Sequence, residues 1–369
     1  MPPPSSRTLR YARAWIAGPH AFAEDEIVLD RGGVAVPATV VRPVGPAGAG
    51  PAWVVMHGIT RPGRAHGQLV RFTRAVASAG ITTIVPEVPE WRELRLSPEL
   101  SSPTIAAAVQ GLLDSGLGVD RPVGVIGFSF GAPHAIASAA DPSVGDRIGG
   151  ACGFGGYGDI ESTFRFMMSG RHDWRGVEHA LRPDPYGRWI VAANYLTGVP
   201  EHADAQDVAD ALRRLAEYAG DEGAASWDPV YDPVITELRE SVGEERRPLF
   251  DLFARESQAS PDRATSELES PAELAEGLAA AARRMDPTVD PLQSLAGVEG
   301  PVSILHGRQD HLIPFTEAYR LRAALKSARA DLTVTRLFGH SAQDSVPFAQ
   351  AVREVPAFAA AIDRVLRLV

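Results

Sequence analysis

The hydrophobic positions in the first 155 residues alternate between two patterns. One is a short, continuous apolar run, which is typical of a strand buried on both faces of a parallel sheet. The other is an apolar stripe at helical spacing, which predicts a helix with one buried face. The continuous runs lie at 52–56, 82–86, 123–128 and 148–154. The helical stripes lie at 68–79, 103–113 and 132–140. This alternation predicts a mostly parallel sheet with helices on both faces.

Two regions at the start of the chain depart from this alternation. Residues 26–29 and 34–42 alternate apolar and polar side chains around the turn sequence at 30–33, which predicts an antiparallel hairpin. Residues 1–24 begin with a run of prolines after Met1, and proline fixes φ and lacks an N–H donor. We therefore expect residues 1–24 to form an N-terminal appendage.

The strand pattern stops at Gly155 and returns only at Pro301. The residues between them carry no strand signal, and Asp-Pro pairs separate helix-like stripes. Those stripes lie at 208–218, 248–254 and 272–285. A long insertion without strands in an α/β domain predicts a helical cap over the active edge of the sheet.

The strand and helix alternation resumes after the insertion. Strands are predicted at 301–305 and 332–337, and helices at 315–325 and 343–368. The predicted fold class is therefore α/β, a mostly parallel doubly wound sheet with a helical cap insertion. The predicted division is an appendage at 1–24, a core at 25–155 and 296–369, and a cap at 156–295.

Composition and charge restrict the classes of partner and compartment. The chain has 369 residues and a net charge of −10, and residues 201–280 contain 20 acidic residues against 7 arginines. Such a surface repels a phosphate backbone, so we expect no nucleic-acid partner. No apolar run approaches the length of a membrane span, and the N-terminus is a poor signal peptide. The single cysteine, Cys152, precludes an internal disulfide, and a cytoplasmic protein is the expectation.

The turn between the strand at 123–128 and the following helix carries the candidate chemistry. Its sequence, Gly-Phe-Ser-Phe-Gly at 127–131, is a G-x-S-x-G motif. Such a turn holds a serine in a strained conformation at the top of the sheet, and small flanking residues let strand and helix approach. Ser129 is therefore the candidate nucleophile, and the Phe130 amide, at the start of the helix, a candidate donor to an oxyanion.

A serine nucleophile needs a base and an acid that orients the base. His340 follows the predicted strand at 332–337 and is the candidate base. Asp310 follows the predicted strand at 301–305 and is the candidate acid. If Asp310 only forms a turn, the alternative acid is Asp159, which follows the strand after Ser129. The order serine, aspartate, histidine is the one expected at the carboxyl edge of a parallel sheet.

These motifs, together with the His57-Gly58 pair, resemble those of the α/β-hydrolase superfamily. The resemblance covers roughly 25–155 and 300–369, and does not extend to the cap. It implies that the amide of Phe130 and a second amide, from Ile59 or Thr60, form the oxyanion hole. His57 is interpreted as a structural residue that supports this turn, and His57 and Thr60 are also candidate substrate contacts.

The leading functional hypothesis is a serine hydrolase that cleaves carboxylic esters of small molecules through an acyl-enzyme. A peptidase or amidase on the same residues is the alternative within the enzyme class. A binding protein on a hydrolase fold without catalysis is the alternative outside it. The sequence shows no convincing metal-ligand spacing and no nucleotide-binding motif beside a strand, so we expect no metal and no cofactor.

Overall fold

The computed structural model describes residues 5–45, 50–115, 122–257, 271–337 and 348–368. Eight of the strands in these residues form one sheet, in the order β1-β2-β4-β3-β5-β6-β9-β10, and β7 and β8 form a separate pair. The strands are β1 Phe22–Arg31, β2 Val34–Pro43, β3 Ala52–Met56, β4 Thr82–Pro86, β5 Val123–Phe128, β6 Ile148–Phe154, β7 Arg171–Trp174, β8 Val177–Ala180, β9 Pro301–Gly307 and β10 Arg329–Thr335. The pairs β1/β2 and β2/β4 are antiparallel, and every other neighbouring pair in the large sheet is parallel. The predicted hairpin and the predicted mostly parallel sheet are both confirmed.

The register of the parallel strands brings their carboxyl ends to one edge of the sheet. Met56 of β3 lies beside Gly127 of β5, and Phe128 of β5 lies beside Phe154 of β6. Phe154 in turn lies beside Leu305 of β9. The loops that follow these four strands therefore meet at the same edge, where ligands bind in open α/β sheets.

Helices cover both faces of the large sheet and also form most of the insertion between β6 and β9. The helices of the described residues are α1 Ser6–Ala17, α2 Gly67–Ser78, α3 Pro89–Arg92, α4 Ser101–Asp114, α5 Gly131–Ala137, α6 Ile160–Ser169, α7 Pro185–Tyr195, α8 Gln206–Glu222, α9 Asp232–Ser241, α10 Arg247–Phe253, α11 Pro271–Met285, α12 Leu292–Leu295, α13 Thr316–Ala324 and α14 Phe348–Val365. Alternate residues of β3 enter two different cores. Trp53 and Val55 pack with residues of α1, α2 and α14, whereas Val54 and Met56 pack with residues of α4 and α5. The continuous apolar run of β3 follows from burial on both faces.

The N-terminal region contains a helix that the sequence analysis did not predict. Helix α1 begins after Ser5, whose side chain accepts a hydrogen bond from the Thr8 amide. Tyr11 and Ala14 of this helix are buried in the core with α2 and α14. The Ser5 amide also donates to Asp363 Oδ1 of α14 at 3.0 Å. This part of the appendage is therefore packed on the core.

The insertion between β6 and β9 is mainly helical, as predicted, but it also contains the antiparallel pair β7 and β8. Trp174 pairs with Val177 across a two-residue loop of Arg175 and Gly176. Both loop residues have positive φ, 51° and 78°, as a type I′ hairpin turn requires. Arginine is an uncommon residue at such a position, so the turn was not evident from the sequence. Each strand has only four residues, which is too short for an alternation of apolar and polar side chains to indicate a hairpin.

A buried carboxylate connects the start of the insertion to the core. Glu317, in α13, accepts hydrogen bonds from the backbone amides of Gly158 and Asp159 at 3.1 and 2.8 Å. The Ser162 hydroxyl of α6 donates to the same carboxylate at 2.6 Å, and Arg320 lies 3.6 Å away. Burial raises the pKa of Glu317, although Arg320 and these donors oppose that effect. Glu317 thus satisfies the amides where the chain leaves β6 for the insertion.

Candidate active site

The turn after β5 holds Ser129 in the left-handed region of the backbone map, with φ of 53°. This conformation is uncommon for a residue with a side chain and marks local strain. The Ser129 amide donates to the Phe154 carbonyl at 2.8 Å, so the turn is tied to the neighbouring strand β6. The Ser129 side chain is half-buried at the carboxyl edge of the sheet. A strained strand-to-helix turn of this kind is what a nucleophile elbow requires, and the role of Ser129 as nucleophile remains a prediction.

Glycines allow the close packing around this turn. A Cβ atom on Gly127 would lie 2.2 Å from the Gly131 carbonyl oxygen, and one on Gly131 would lie 2.6 Å from the His57 carbonyl oxygen. A Cβ atom on Gly58 would lie 2.9 Å from Ser129 Cβ. Any larger residue at these three positions would therefore separate strand β5, helix α5 and the turn after β3. The backbone of the His57-Gly58 turn consequently lies directly against Ser129.

The two predicted oxyanion residues belong to the two turns that pack together at Ser129. Phe130 is the residue before α5, so its amide is among those that a helix leaves without an intrahelical partner. Phe130 and Ile59 both line the pocket onto which Ser129 opens. Thr60 accepts a hydrogen bond from the Gly63 amide at 3.0 Å through its carbonyl and is not among the described lining residues. Its predicted substrate contact remains a prediction.

His57 is buried behind the turn rather than facing the pocket. Its Nδ1 atom lies 2.7 Å from the Gly58 carbonyl oxygen. Its Nε2 atom lies 3.0 Å from the Val88 amide nitrogen and 3.0 Å from Glu87 Oε1. Burial alone would raise the pKa of Glu87, but its hydrogen bond and charge interaction with His57 and the charge of Arg92 hold that pKa below its usual range. The ring of His57 therefore connects the candidate oxyanion turn to the end of β4.

Asp310 lies in the loop after β9 and is fully buried. Its Oδ1 atom accepts hydrogen bonds from the amides of Leu312 and Ile313, both at 3.0 Å. Leu312 and Ile313 line the same pocket as Ser129, so the Asp310 loop borders this pocket. His340, the candidate base, lies outside the described residues, so its role remains a prediction.

The alternative acid, Asp159, has a local structural function. It is the N-cap of α6, and its Oδ1 atom accepts a hydrogen bond from the Ser162 amide at 2.7 Å. Its backbone amide donates to the buried Glu317. These contacts fix the start of α6, whose residues form part of the pocket wall.

An apolar pocket lies between Ser129 and the insertion. The space between the lining side chains is about 580 Å³, part of which is open solvent. The core contributes Ile59, Leu96, Ser129, Phe130, Leu312 and Ile313. The insertion contributes Tyr157, Ile160, Thr163, Phe164, Met167, Tyr186, Gly187, Ile190, Val191 and Val289. None of these described lining residues carries a charge.

The pocket residues that belong to the insertion were not predicted from the sequence. Ile160, Phe164 and Met167 recur at the spacing of one helix face, immediately after β6. That stripe is a signal for α6, but it does not show which surface the helix covers. Tyr157, in the loop before α6, is oriented by its hydroxyl, which donates to the Val289 carbonyl at 2.7 Å and lies 2.9 Å from His134 Nε2.

The described part of the chain has no group of three or more histidine, cysteine or acidic side chains placed to hold a metal ion. Among the same residues, no helix combines the length and the apolar character needed to cross a membrane.

No family model matches the chain, and no curated protein matches its sequence. Several solved structures are similar in shape. Acylaminoacyl peptidase from Pyrococcus horikoshii is 12% identical with a TM-score of 0.45, over 88% of this chain and 38% of its own length. Est1E from Butyrivibrio proteoclasticus is 12% identical with a TM-score of 0.47, over 92% of this chain and 97% of its own. The 2-hydroxy-6-oxo-6-phenylhexa-2,4-dienoate hydrolase from Rhodococcus sp. strain RHA1 is 16% identical with a TM-score of 0.45, over 92% of this chain and 99% of its own length. The chain thus spans about two fifths of the length of the peptidase.

The fold can be assigned from the geometry of this chain itself. The sheet has an antiparallel second strand, and its third and fourth strands exchange places in the spatial order. The strained serine turn follows the fifth strand, at the edge where the carboxyl ends of the parallel strands meet. Strand order, strand direction and serine turn together are those of the α/β-hydrolase fold.

Proposed function

We propose that this protein is a serine hydrolase that cleaves carboxylic esters. The observation that carries the proposal is Ser129, half-buried in a strained turn and opening onto an apolar pocket beside the turn at Gly58. Strain of this kind persists where the surrounding structure fixes it and is concentrated at active sites. An apolar pocket whose described lining residues are all uncharged suits the uncharged parts of an ester better than a charged peptide.

The proposed first step forms an acyl-enzyme. His340 accepts the proton of the Ser129 hydroxyl while the serine oxygen attacks the carbonyl carbon of the ester. The negative charge that develops on the carbonyl oxygen is stabilised by the backbone amides of Phe130 and Ile59. His340 then gives its proton to the leaving alcohol as the ester bond breaks.

The proposed second step releases the acid. His340 removes a proton from water, and the resulting hydroxide attacks the acyl carbon. The bond to Ser129 breaks, and the serine oxygen recovers its proton from His340. Asp310 orients His340 and stabilises its protonated form throughout, as an acid in this position does in serine hydrolases.

The decisive experiment compares Ser129→Ala with Ser169→Ala, an exposed serine of α6. With nitrophenyl butyrate, we expect Ser129→Ala to lower kcat by about 10⁴-fold or more, since loss of the nucleophile removes the covalent route. Ser169→Ala should retain wild-type turnover. A fluorophosphonate probe should label wild type and Ser169→Ala but not Ser129→Ala. Unchanged turnover in a folded Ser129→Ala protein would refute the proposal.

The same assay distinguishes the ester hypothesis from the peptidase or amidase alternative. The substrates are a butyryl ester and the matching anilide, measured with the same enzyme preparation. We expect a much higher kcat/KM for the ester, because an amine is a poorer leaving group and must be protonated as it departs. A comparable kcat/KM for the anilide would favour the amidase hypothesis.

A further inference from the structure

The walls of the pocket indicate what kind of acyl group it receives. Besides Ser129, the polar side chains of its described lining are Tyr157, Thr163 and Tyr186, and the hydroxyls of the first two have partners within the protein. The Tyr157 hydroxyl donates to the Val289 carbonyl, and the Thr163 hydroxyl donates to the Asp159 carbonyl at 2.7 Å. A polar or charged group placed here would lose its hydration without gaining these hydrogen bonds. The described walls, which are uncharged and mostly apolar, therefore favour an apolar group.

The mechanism identifies which part of the ester occupies this space. After the alcohol leaves, the acyl group stays bonded to Ser129 until water attacks. Ser129 opens onto the pocket, so the acyl chain must be accommodated there during both steps. Occupation of the pocket by the acyl chain rests on the proposed function.

One part of the wall is formed by a flexible side chain lying on a glycine. Met167 of α6 is buried and lines the pocket. A Cβ atom on Gly187 of α7 would lie 3.0 Å from Met167 Cε, 3.1 Å from Met167 Sδ and 2.9 Å from Leu312 Cδ1. The thioether of Met167 thus packs against the backbone of α7 at Gly187, in space that any side chain at position 187 would occupy. Glycine is unfavourable in a helix relative to alanine, so a packing requirement accounts for it here.

We propose that the pocket receives an uncharged, apolar acyl chain and that Met167, packed on Gly187, sets the largest chain that the enzyme accepts. Methionine has three rotatable bonds and adapts to the shape beside it. Removing its thioether enlarges the pocket. A methyl group at position 187 displaces the thioether toward the acyl chain and reduces the space.

The test measures kcat/KM for nitrophenyl butyrate, hexanoate and octanoate. Met167→Ala should raise the ratio of octanoate to butyrate by about tenfold or more, since one methylene in an apolar pocket changes kcat/KM by about that factor. Gly187→Ala should lower the ratio, and if that variant does not fold, Met167→Phe tests the same narrowing. The matched control is Met168→Ala, because Met168 is the next residue of α6, is half-buried and is outside the described lining. The control should leave the ratio unchanged.

A second substrate pair tests the requirement for an uncharged chain. A nitrophenyl ester with a terminal carboxylate on its acyl chain should be hydrolysed at least about 100-fold less efficiently than the alkyl ester of equal length, because burial of an unpaired charge is costly. Equal rates for this pair, or equal chain-length ratios in Met167→Ala and Met168→Ala, would overturn the inference. Both outcomes leave Ser129-dependent butyrate hydrolysis intact, whereas its absence from the wild-type protein overturns the proposed function itself.

Discussion

Arg61 and Asp221 form a bidentate ion pair that joins the loop after β3, which carries the candidate oxyanion residue Ile59, to helix α8 of the insertion. Arg61 Nε lies 3.0 Å from Asp221 Oδ1, and Arg61 Nη2 lies 3.3 Å from Asp221 Oδ2. Arg61 follows Ile59 by two residues, and its carbonyl accepts a hydrogen bond from Arg92 at 3.0 Å. The pair therefore links the insertion to the loop that carries a proposed oxyanion amide.

The first prediction concerns Asp221→Asn. Because 32% of the Arg61 side chain and 60% of the Asp221 side chain are exposed, we expect the free energy of unfolding to fall by less than about 1 kcal/mol. We expect kcat for ester hydrolysis to fall about twofold to fivefold, because the loop at Ile59 loses its contact with α8. Steady-state kinetics and urea unfolding measure the two effects.

The control for this prediction is Asp251→Asn. Asp251 forms an ion pair of similar geometry with Arg239, at 2.7 and 3.0 Å, within the insertion. Asp251→Asn should lower the free energy of unfolding by a similar amount and leave kcat unchanged. If the two variants have the same kcat, the ion pair at Arg61 has no influence on the oxyanion loop.

The second prediction concerns the buried contact between His57 and Glu87. Glu87→Gln removes the negative charge beside the His57 ring, whose other nitrogen contacts the Gly58 carbonyl. We expect kcat to fall about fivefold to tenfold with KM within twofold, because the candidate oxyanion amide is then less well positioned. The control is Glu26→Gln, an exposed residue that also pairs with Arg64, as Glu87 does. A rise in KM with an unchanged kcat would indicate a substrate contact instead.

The third prediction concerns pH and stability. Burial lowers the pKa of His134 to about 3, whereas an unfolded histidine has a pKa of about 6.5. Between these values the unfolded state binds more protons, so the free energy of unfolding decreases as the pH falls from about 6.5 toward 3. His134→Gln should reduce this pH dependence by up to about 1.4 kcal/mol per pH unit.

Urea unfolding at pH 7, 6 and 5 measures that difference. Glutamine keeps a polar group near the Tyr157 hydroxyl, which lies 2.9 Å from His134 Nε2. The exposed His20 provides the control, and His20→Gln should keep the wild-type slope. An identical slope in His134→Gln would show that His134 is not the group responsible.

The fourth prediction concerns the glycines around Ser129. In Gly127→Ala the new methyl group would lie 2.2 Å from the Gly131 carbonyl oxygen, so strand β5 and helix α5 must separate. We expect a loss of at least about 2 kcal/mol in the free energy of unfolding and loss of ester hydrolysis. Gly67→Ala, at the start of α2, meets no atom within 4 Å and should be neutral or stabilising. Wild-type stability in Gly127→Ala would contradict the packing described for this turn.

The elements that the sequence predicted best are the strands buried on both faces. The bounds of β3, β4 and β6 coincide with the predicted runs, because burial on both faces leaves a continuous apolar segment in the sequence. Helix α1 was not predicted, since the initial prolines outweighed the weak stripe formed by Tyr11 and Ala14. A helix that buries so few large side chains is hard to distinguish from a tail.

The site was predictable where chemistry is local in sequence, and less so where it depends on packing. The motif around Ser129 identified a strained turn, and the structure places that turn at the expected edge. The contact between His57 and Glu87 joins residues 30 positions apart and becomes evident only from the pairing of β3 with β4. The contact between Met167 and Gly187 likewise depends on how two helices of the insertion pack. Periodicity predicts helix faces but does not reveal their partners.

The position of Glu317 limits how the insertion can be exchanged with that of another protein. A chimaera joined after β6 that kept Glu317 but lacked matching donors would leave this buried carboxylate without three of its hydrogen bonds and with Arg320 as its remaining described partner. Conversely, residues 156–295 could be transferred into a host protein that has an apolar residue at the position of Glu317. The amides of Gly158 and Asp159 would then be buried without a hydrogen-bond acceptor. A functional exchange of the insertion therefore requires that Glu317 be transferred together with it.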